Sequence, residues 1–326
     1  MKEQVRVNSA HPALTKDVVF ETTHAVVSSF QKLRPYLGRR WDVIGKDDGV
    51  DMKSQFDQPL EEAVKARLEK TTGIPCVGEE LGGDLAAKLR FDVDIIDGTP
   101  NAGDEMDCWG MITSLNDNVT GLVTAAYLPK RGEFYLAVKG MGAYMFDLSH
   151  DHVDATSEGL AKKIVDTLFT EPNPSLLTAT RLQVHSMRHL PPKEGEKKYQ
   201  PFKRFHVSED LGYEGRDWKL RMIANYANDV KYMPIFGSIL YSLCMIAKGN
   251  LQGHIAFDVG RNDTNHFALM QESGMVFSNG KGDPFTMDSR TLVVANCEEF
   301  RKFLVERINQ PFDPLYIVPQ NGKYWY

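Results

Sequence analysis

A short alternating stretch, Leu89-Arg90-Phe91-Asp92-Val93, runs directly into Asp94-Ile95-Ile96-Asp97-Gly98-Thr99-Pro100-Asn101. Alternation of this kind predicts a strand, and Gly98-Thr99-Pro100 predicts a turn that opens a helix. Two carboxylates at a strand end, just before Gly-Thr, make a hard, oxygen-rich corner. Such a corner suits a divalent cation of the Mg²⁺ type, which takes carboxylates, carbonyls and water. The backbone N–H groups of Gly98 and Thr99 then offer a cradle to an anion. A cation corner beside an anion cradle is what phosphoryl chemistry requires.

The chain of 326 residues is long enough for one large α/β unit or two closely fused halves, divided here at 1–150 and 151–326. A net charge of −6 argues against a nucleic-acid partner. Cys76, Cys108, Cys244 and Cys297 are scattered with no C-x-x-C pair, which predicts reduced thiols and a cytoplasmic setting. The N-terminal residues lack the apolar core of a secretory signal, and no apolar run approaches the ~18 residues of a membrane span.

Residues 13–36 carry apolar positions at helical spacing up to Pro35. A Gly- and Asp-rich stretch from Gly45 to Asp51 reads as a loop or hairpin, and residues 59–70 as a second helix. Residues 110–147 read as consecutive strands in an antiparallel arrangement. The segment 151–232 looks irregular and polar. Beyond Gly237, a helix over 238–248, a strand over 252–257, a helix from Asp263 to Glu272 and strands near 275–277 and 292–295 are expected.

Glu79 and Glu80, in Gly78-Glu79-Glu80-Leu81-Gly82-Gly83, add two acids close to Asp94 and Asp97. Four such acids at the ends of short apolar runs repel one another unless a cation lies among them. Carboxylates favouring helix N-termini are the plainer alternative. Far downstream, Asp263 heads an apolar helix, either as an N-cap or as a carboxylate closing the same site. No His or Cys belongs to this set, which disfavours zinc. His150-Asp151-His152 reads as an exposed loop. His266 could donate to a substrate oxygen or simply pack. The basic-aromatic run Lys197 to His206 reads as a solvated loop or as a lid over a second phosphate.

Glu79 in Gly-Glu-Glu, the run Asp94 to Thr99, and Asp263 heading a helix that ends in Glu-Ser-Gly resemble the inositol monophosphatase superfamily, whose signatures read roughly G-E-E, D-P-I-D-G-T-x-N and W-D-x-A-A-G. Lys53-Ser54-Gln55-Phe56-Asp57, Gly132-Glu133 with Gly140-Met141-Gly142-Ala143, Gly237-Ser238, and Gly280 to Phe285 are similar to further motifs of that family, in the same order. Three positions depart. Ile95 replaces the proline, and Asn262 replaces the tryptophan. The acid that grips inositol hydroxyls falls near Ala256, or at Asp258 only after a shift.

The resemblance implies a layered αβαβα sandwich of the α/β (α+β) class, antiparallel-rich in its N-terminal half and with a largely parallel sheet in its C-terminal half, and a lithium-sensitive, Mg²⁺-dependent phosphomonoesterase working by metal-activated water attack. It implies that Glu79, Asp94 and the Ile96 carbonyl hold one Mg²⁺, and that Asp94, Asp97 and Asp263 hold a second. Glu79 would also touch a third, giving two or three ions per subunit. Thr99 backed by Asp57 would orient and help deprotonate the water, with Glu79 in the same catalytic group. Phosphate would rest on Gly98 and Thr99, beside Asp97 and Asp263. The expected substrate is a small phosphorylated metabolite, first an inositol or sugar phosphate. The enzyme alternatives are a 3′-phosphoadenosine nucleotide, fructose bisphosphate or histidinol phosphate. A homodimer is the expected assembly, with no nucleic acid and no membrane as partner. A non-catalytic phospholigand-binding scaffold is the alternative from another class.

Overall fold

Thr15 ends an extended approach and accepts the Val18 N–H, which starts α1 (Lys16–Leu33) as an N-cap. A computed structural model describes residues 11–46, 52–118, 120–148, 156–170, 177–184, 201–212, 214–260, 265–286 and 288–311. A single 3₁₀ turn over Arg34–Tyr36 closes α1 at Pro35. The hairpin expected near Gly45 forms from β1 (Val43–Gly45) and β2 (Met52–Ser54), paired antiparallel. Next come α2 (Asp57–Thr72), β3 (Cys76–Gly78), β4 (Leu89–Asp97) and the one-turn α3 (Thr99–Gly103).

Four strands then run consecutively: β5 (Gly110–Asp117), β6 (Thr120–Leu128), β7 (Glu133–Val138) and β8 (Gly142–Asp147). With β3 and β4 on one side and β9 (Ala179–Leu182) on the other, they form a seven-stranded sheet in the order β3-β4-β5-β6-β7-β8-β9. All its pairings are antiparallel except β3 with β4. The segment read as irregular contains α4 (Ser157–Phe169), β9, β10 (Val207–Asp210) and α5 (Arg216–Ala227). Strands β9 and β10, at four residues each, have too short a pattern to read, whereas α4 places Leu160, Ala161, Ile164, Val165 and Leu168 at helical spacing, a signal present in the sequence.

The remainder is α6 (Ile239–Ala247), β11 (Gly253–Phe257), α7 (Phe267–Glu272), β12 (Val276–Asn279), β13 (Thr291–Ala295) and α8 (Glu298–Ile308). The second sheet has the order β10-β11-β13-β12. A largely parallel sheet was expected there. Only β10 and β11 run parallel, because β13 returns between β11 and β12 antiparallel to both.

The layers follow from which strand faces are apolar. Phe134, Leu136 and Val138 of β7 face α1 and α4, whereas Tyr135 and Ala137 face the opposite way. Helices α6 and α7 fill the space between the two sheets, and α5 with α8 covers the outer face of the smaller one. This is the αβαβα sandwich. The four cysteines are free, and burial pushes the Cys244 thiol well above its ordinary range. Among the described residues no helix is long and apolar enough to cross a membrane.

One contact sets the position of α7 and so of the chain entering it. Gly121 lies so close to α7 that a Cβ there would fall 2.0 Å from the Ala268 nitrogen. The obstacle is backbone, so it cannot swing aside. Gly121→Ala is expected to lower stability by about 1–3 kcal/mol, the range for overpacking a dense interior. Urea unfolding checks this; an unchanged midpoint would mean that α7 is free to move.

Candidate active site

The corner is built by a register break in β4. Asp94 pairs with Ile112 and Asp97 with Gly110, so three steps on β4 match two on β5. Side chains alternate along a strand, and residues three apart normally face opposite sides. The extra residue of the bulge cancels that offset, bringing Asp94 and Asp97 to the same face. Ile95 and Ile96, within the bulge, are both 2% exposed and belong to the core, which holds the distortion in place. Ile95 therefore does by burial what a proline would do by stiffness.

Glu79 joins them through the parallel neighbour. Gly78 of β3 stands in register with Val93, and the Glu79 N–H continues the ladder to the Val93 carbonyl at 3.3 Å. One step further along both strands places Glu79 beside Asp94. In-register neighbours on parallel strands point to one face, about 4.8 Å apart. The Glu61 carboxylate receives the Glu80 and Leu81 N–H groups at 3.0 and 2.7 Å and fixes the turn that carries Glu79.

Behind the corner, Gly98 takes a left-handed conformation (φ 84°), and a Cβ would fall 3.2 Å from both the Cys108 carbonyl and the Ser238 Cβ. Only glycine turns the chain here without strain. Thr99 then begins α3, with Pro100 where a missing N–H costs nothing. The Thr99 hydroxyl lies 3.0 Å from Asp57 Oδ1 and 3.0 Å from the Ile96 carbonyl. Asp57, 6% exposed, receives the Ser54 N–H at 2.8 Å and the Ser54 hydroxyl. Burial pushes the Asp57 carboxyl above its ordinary range, while the Ser54 and Thr99 donors pull it back.

Two residues that sequence reasoning did not place in the site also reach it. Ser238 caps α6, accepting the Tyr241 N–H at 3.0 Å while its hydroxyl donates to Asp97 Oδ2. The same carboxylate oxygen takes the Leu240 N–H at 3.1 Å. Asp97 is thus held at the positive end of α6. Asn101 ties the same two regions together, its amide donating to the Cys108 and Phe236 carbonyls at 2.7 Å each. The serine preceding an apolar run signals a cap. Its reach to Asp97, from 141 positions away, has no local signal.

The second unexpected residue is Lys46, after β1. Its ammonium lies 2.6 Å from Glu79 Oε1 and 2.7 Å from Glu80 Oε1. The oxygens of Glu79, Asp94, Ile96 and Asp97 are of the hard kind that Mg²⁺ takes, and Lys46 shows that the Glu79 end attracts positive charge. Asp263 lies outside the described residues, as do Asn262 and the His150-Asp151-His152 run. Among the described residues no group of three or more His, Cys, Asp or Glu side chains closes into a metal cluster.

Other candidates are placed elsewhere. His266 is buried at the head of α7. Of the basic-aromatic run, 197–200 lie outside the described residues. The described part, 201–205, is a turn with Lys203 and Arg204 exposed, but Phe202 and Phe205 are not solvated: both are buried against Phe300 of α8. At the position of the inositol-gripping acid, Ala256 is fully buried in β11. Asp258 adopts φ 57° and pairs with the buried Lys219.

The sequence profile of the inositol monophosphatase family matches residues 16–313. Inositol-1-monophosphatase ImpA of Mycolicibacterium smegmatis is 26% identical over 288 residues, covering 85% of this chain and 88% of that protein. The fructose-1,6-bisphosphatase/inositol-1-monophosphatase of Aquifex aeolicus is 24% identical over 291 residues, covering 86% and 91%. The extragenic suppressor protein suhB from Bartonella henselae shares the fold, with a TM-score of 0.69 at 18% identity over 90% of this chain and 99% of that one. With the profile spanning both sheets and the bulged carboxylate corner, the chain belongs to the inositol monophosphatase family and is a phosphatase of that superfamily.

Proposed function

We propose that this phosphatase is a Mg²⁺-dependent phosphomonoesterase acting on a small metabolite of the inositol phosphate or sugar phosphate class. The observation that carries the reading is the bulge, which turns Asp94 and Asp97 to one face, with the Glu79 N–H tied to Val93 just before them. Glu79, Asp94, the Ile96 carbonyl and Asp97 would hold the ions, two or three per subunit, with Asp263 as the remaining carboxylate. Bound there, Mg²⁺ lowers the pKa of a water and offsets charge on the phosphate oxygens.

The chain's own residues orient and move the proton. Thr99 Oγ accepts a hydrogen from the attacking water while its own passes to Asp57, 3.0 Å away. Burial raises the proton affinity of Asp57, which suits it to that role. Glu79 acts on the same water from the neighbouring strand. The N–H groups of Gly98 and Thr99 face the phosphate at the start of α3, and Pro100 adds none. Ser238 holds Oδ2 of Asp97 at the head of α6.

The two halves, 1–150 and 151–326, act as one unit, with β9 of the second completing the large sheet of the first and Ser238 reaching Asp97. A homodimer in the cytoplasm belongs to the same proposal. Ala256, in place of an acid, leaves the leaving group held by one contact fewer, which suits a class of polyol phosphates rather than one member of it.

Phosphate release from inositol 1-phosphate, sugar phosphates, fructose bisphosphate, a 3′-phosphoadenosine nucleotide and histidinol phosphate tests this directly. Turnover concentrated on the first two classes, and inhibited by millimolar Li⁺, is expected. Release from none of them would contradict the reading, and indifference to Li⁺ would contradict the second ion position.

A further inference from the structure

The Glu79–Glu80 turn holds a cation already, and it is a side chain. Lys46 Nζ lies 2.6 Å from Glu79 Oε1 and 2.7 Å from Glu80 Oε1, while Lys53 stands off at 3.9 Å from the other Glu80 oxygen. The Glu80 side chain is 93% buried (7% exposed). Its Oε1 nevertheless has no hydrogen-bond donor among the described residues. Lys46 meets that oxygen by charge alone, off the direction a hydrogen bond needs. An ammonium has three directional hydrogens, so it cannot satisfy every arrangement of carboxylates. A metal ion has no such restriction and takes both oxygens by distance.

The carboxylates are the fixed part. Glu61 clamps the Glu80 and Leu81 N–H groups, and the Glu79 N–H is tied to Val93. Lys46 is the movable part, a long flexible stem leaving the short β1–β2 hairpin.

We infer that Lys46 is a tethered cation that occupies the Glu79–Glu80 position until a divalent ion exchanges with it, Glu80 then joining Glu79 as a ligand of that ion. The inference rests on the metal-assisted reading above. It makes Lys46 a determinant of cation affinity, with a sign opposite to that of a supporting residue.

Mn²⁺ binding, followed by the electron paramagnetic resonance of the free ion, tests it on the metal-stripped full chain without any assay of turnover. Lys46→Met is expected to tighten the weakest Mn²⁺ site by about three- to ten-fold, the scale of removing one competing charge pair at a partly exposed position. Adding Glu80→Gln in that background is expected to abolish the gain. Circular dichroism melts establish that each protein is folded, and Lys46→Gln replaces Lys46→Met should the latter unfold. Equal or weaker Mn²⁺ binding by the lysine variant overturns the exchange. A gain that survives Glu80→Gln overturns the role of Glu80. No Mn²⁺ uptake even by the wild-type chain overturns the metal-assisted reading itself, and this inference with it.

Discussion

Asp94→Asn is expected to lower kcat/KM by about 10³-fold or more, because a metal-activated water contributes several kcal/mol and each 1.36 kcal/mol is a decade in rate. Asp94 is the one carboxylate that both neighbours share. The bulge sets it on the same face as Asp97, and the bond from the Glu79 N–H to the Val93 carbonyl brings Glu79 to it from the end of β3. Asparagine keeps the oxygen that receives the Ile96 N–H at 3.2 Å, so the bulge should persist. The loss should therefore appear in rate with the unfolding midpoint unchanged. Added Mg²⁺ should recover part of it, since the remaining donors still bind weakly. A variant with wild-type turnover would remove Asp94 from the site.

The second large effect belongs to Asp57 and Thr99. Asp57→Asn and Thr99→Ala are each expected to lower kcat by about 10²–10³-fold, the scale of a positioned general base. The double variant should lose little more than either alone, because residues acting as a unit are not additive. The local geometry says why asparagine fails here. Ser54 offers two donors to one side of residue 57, so the asparagine must turn its oxygen there and its NH₂ toward Thr99. The Thr99 hydroxyl then meets a donor where it needs an acceptor and can give its hydrogen only to the Ile96 carbonyl, 3.0 Å away. Single-turnover kinetics of the four proteins measures this. Losses that multiply would mean that the two side chains act separately.

Much of this site was legible along the chain, and the legible parts share a cause. Asp94 to Asn101, Glu79 and Asp57 lie where strand patterns end and helix signals begin, so their local context announces them. The bulge was not legible. Two acids three positions apart on one strand should face opposite sides, and only the pairing with Ile112 and Gly110 reveals that they do not. Ser238 and Lys46 were not legible as site residues. Their contacts close over 141 and 33 positions, distances at which a sequence carries no pairing information without a sheet register.

The same limit explains the second sheet. Strands β10 to β13 are four or five residues each, and nothing in so short a pattern dictates that β13 inserts between β11 and β12. The aromatic residues of the run ending at His206 misled for a different reason. Their basic neighbours suggest a solvated surface, while Phe202 and Phe205 pack into the core against α8. Lysine and arginine beside aromatics mark a solvated element only when the aromatics are not themselves needed inside.

The central claim is that the bulged corner of β4 works through a bound divalent cation. Phosphate release from a turned-over phosphomonoester by the wild-type chain, stripped with a chelator and then titrated with Mg²⁺, tests it most directly. The account predicts release near the uncatalysed background before addition and a saturable rise with Mg²⁺. Full activity in the stripped protein, unmoved by added Mg²⁺, would contradict it.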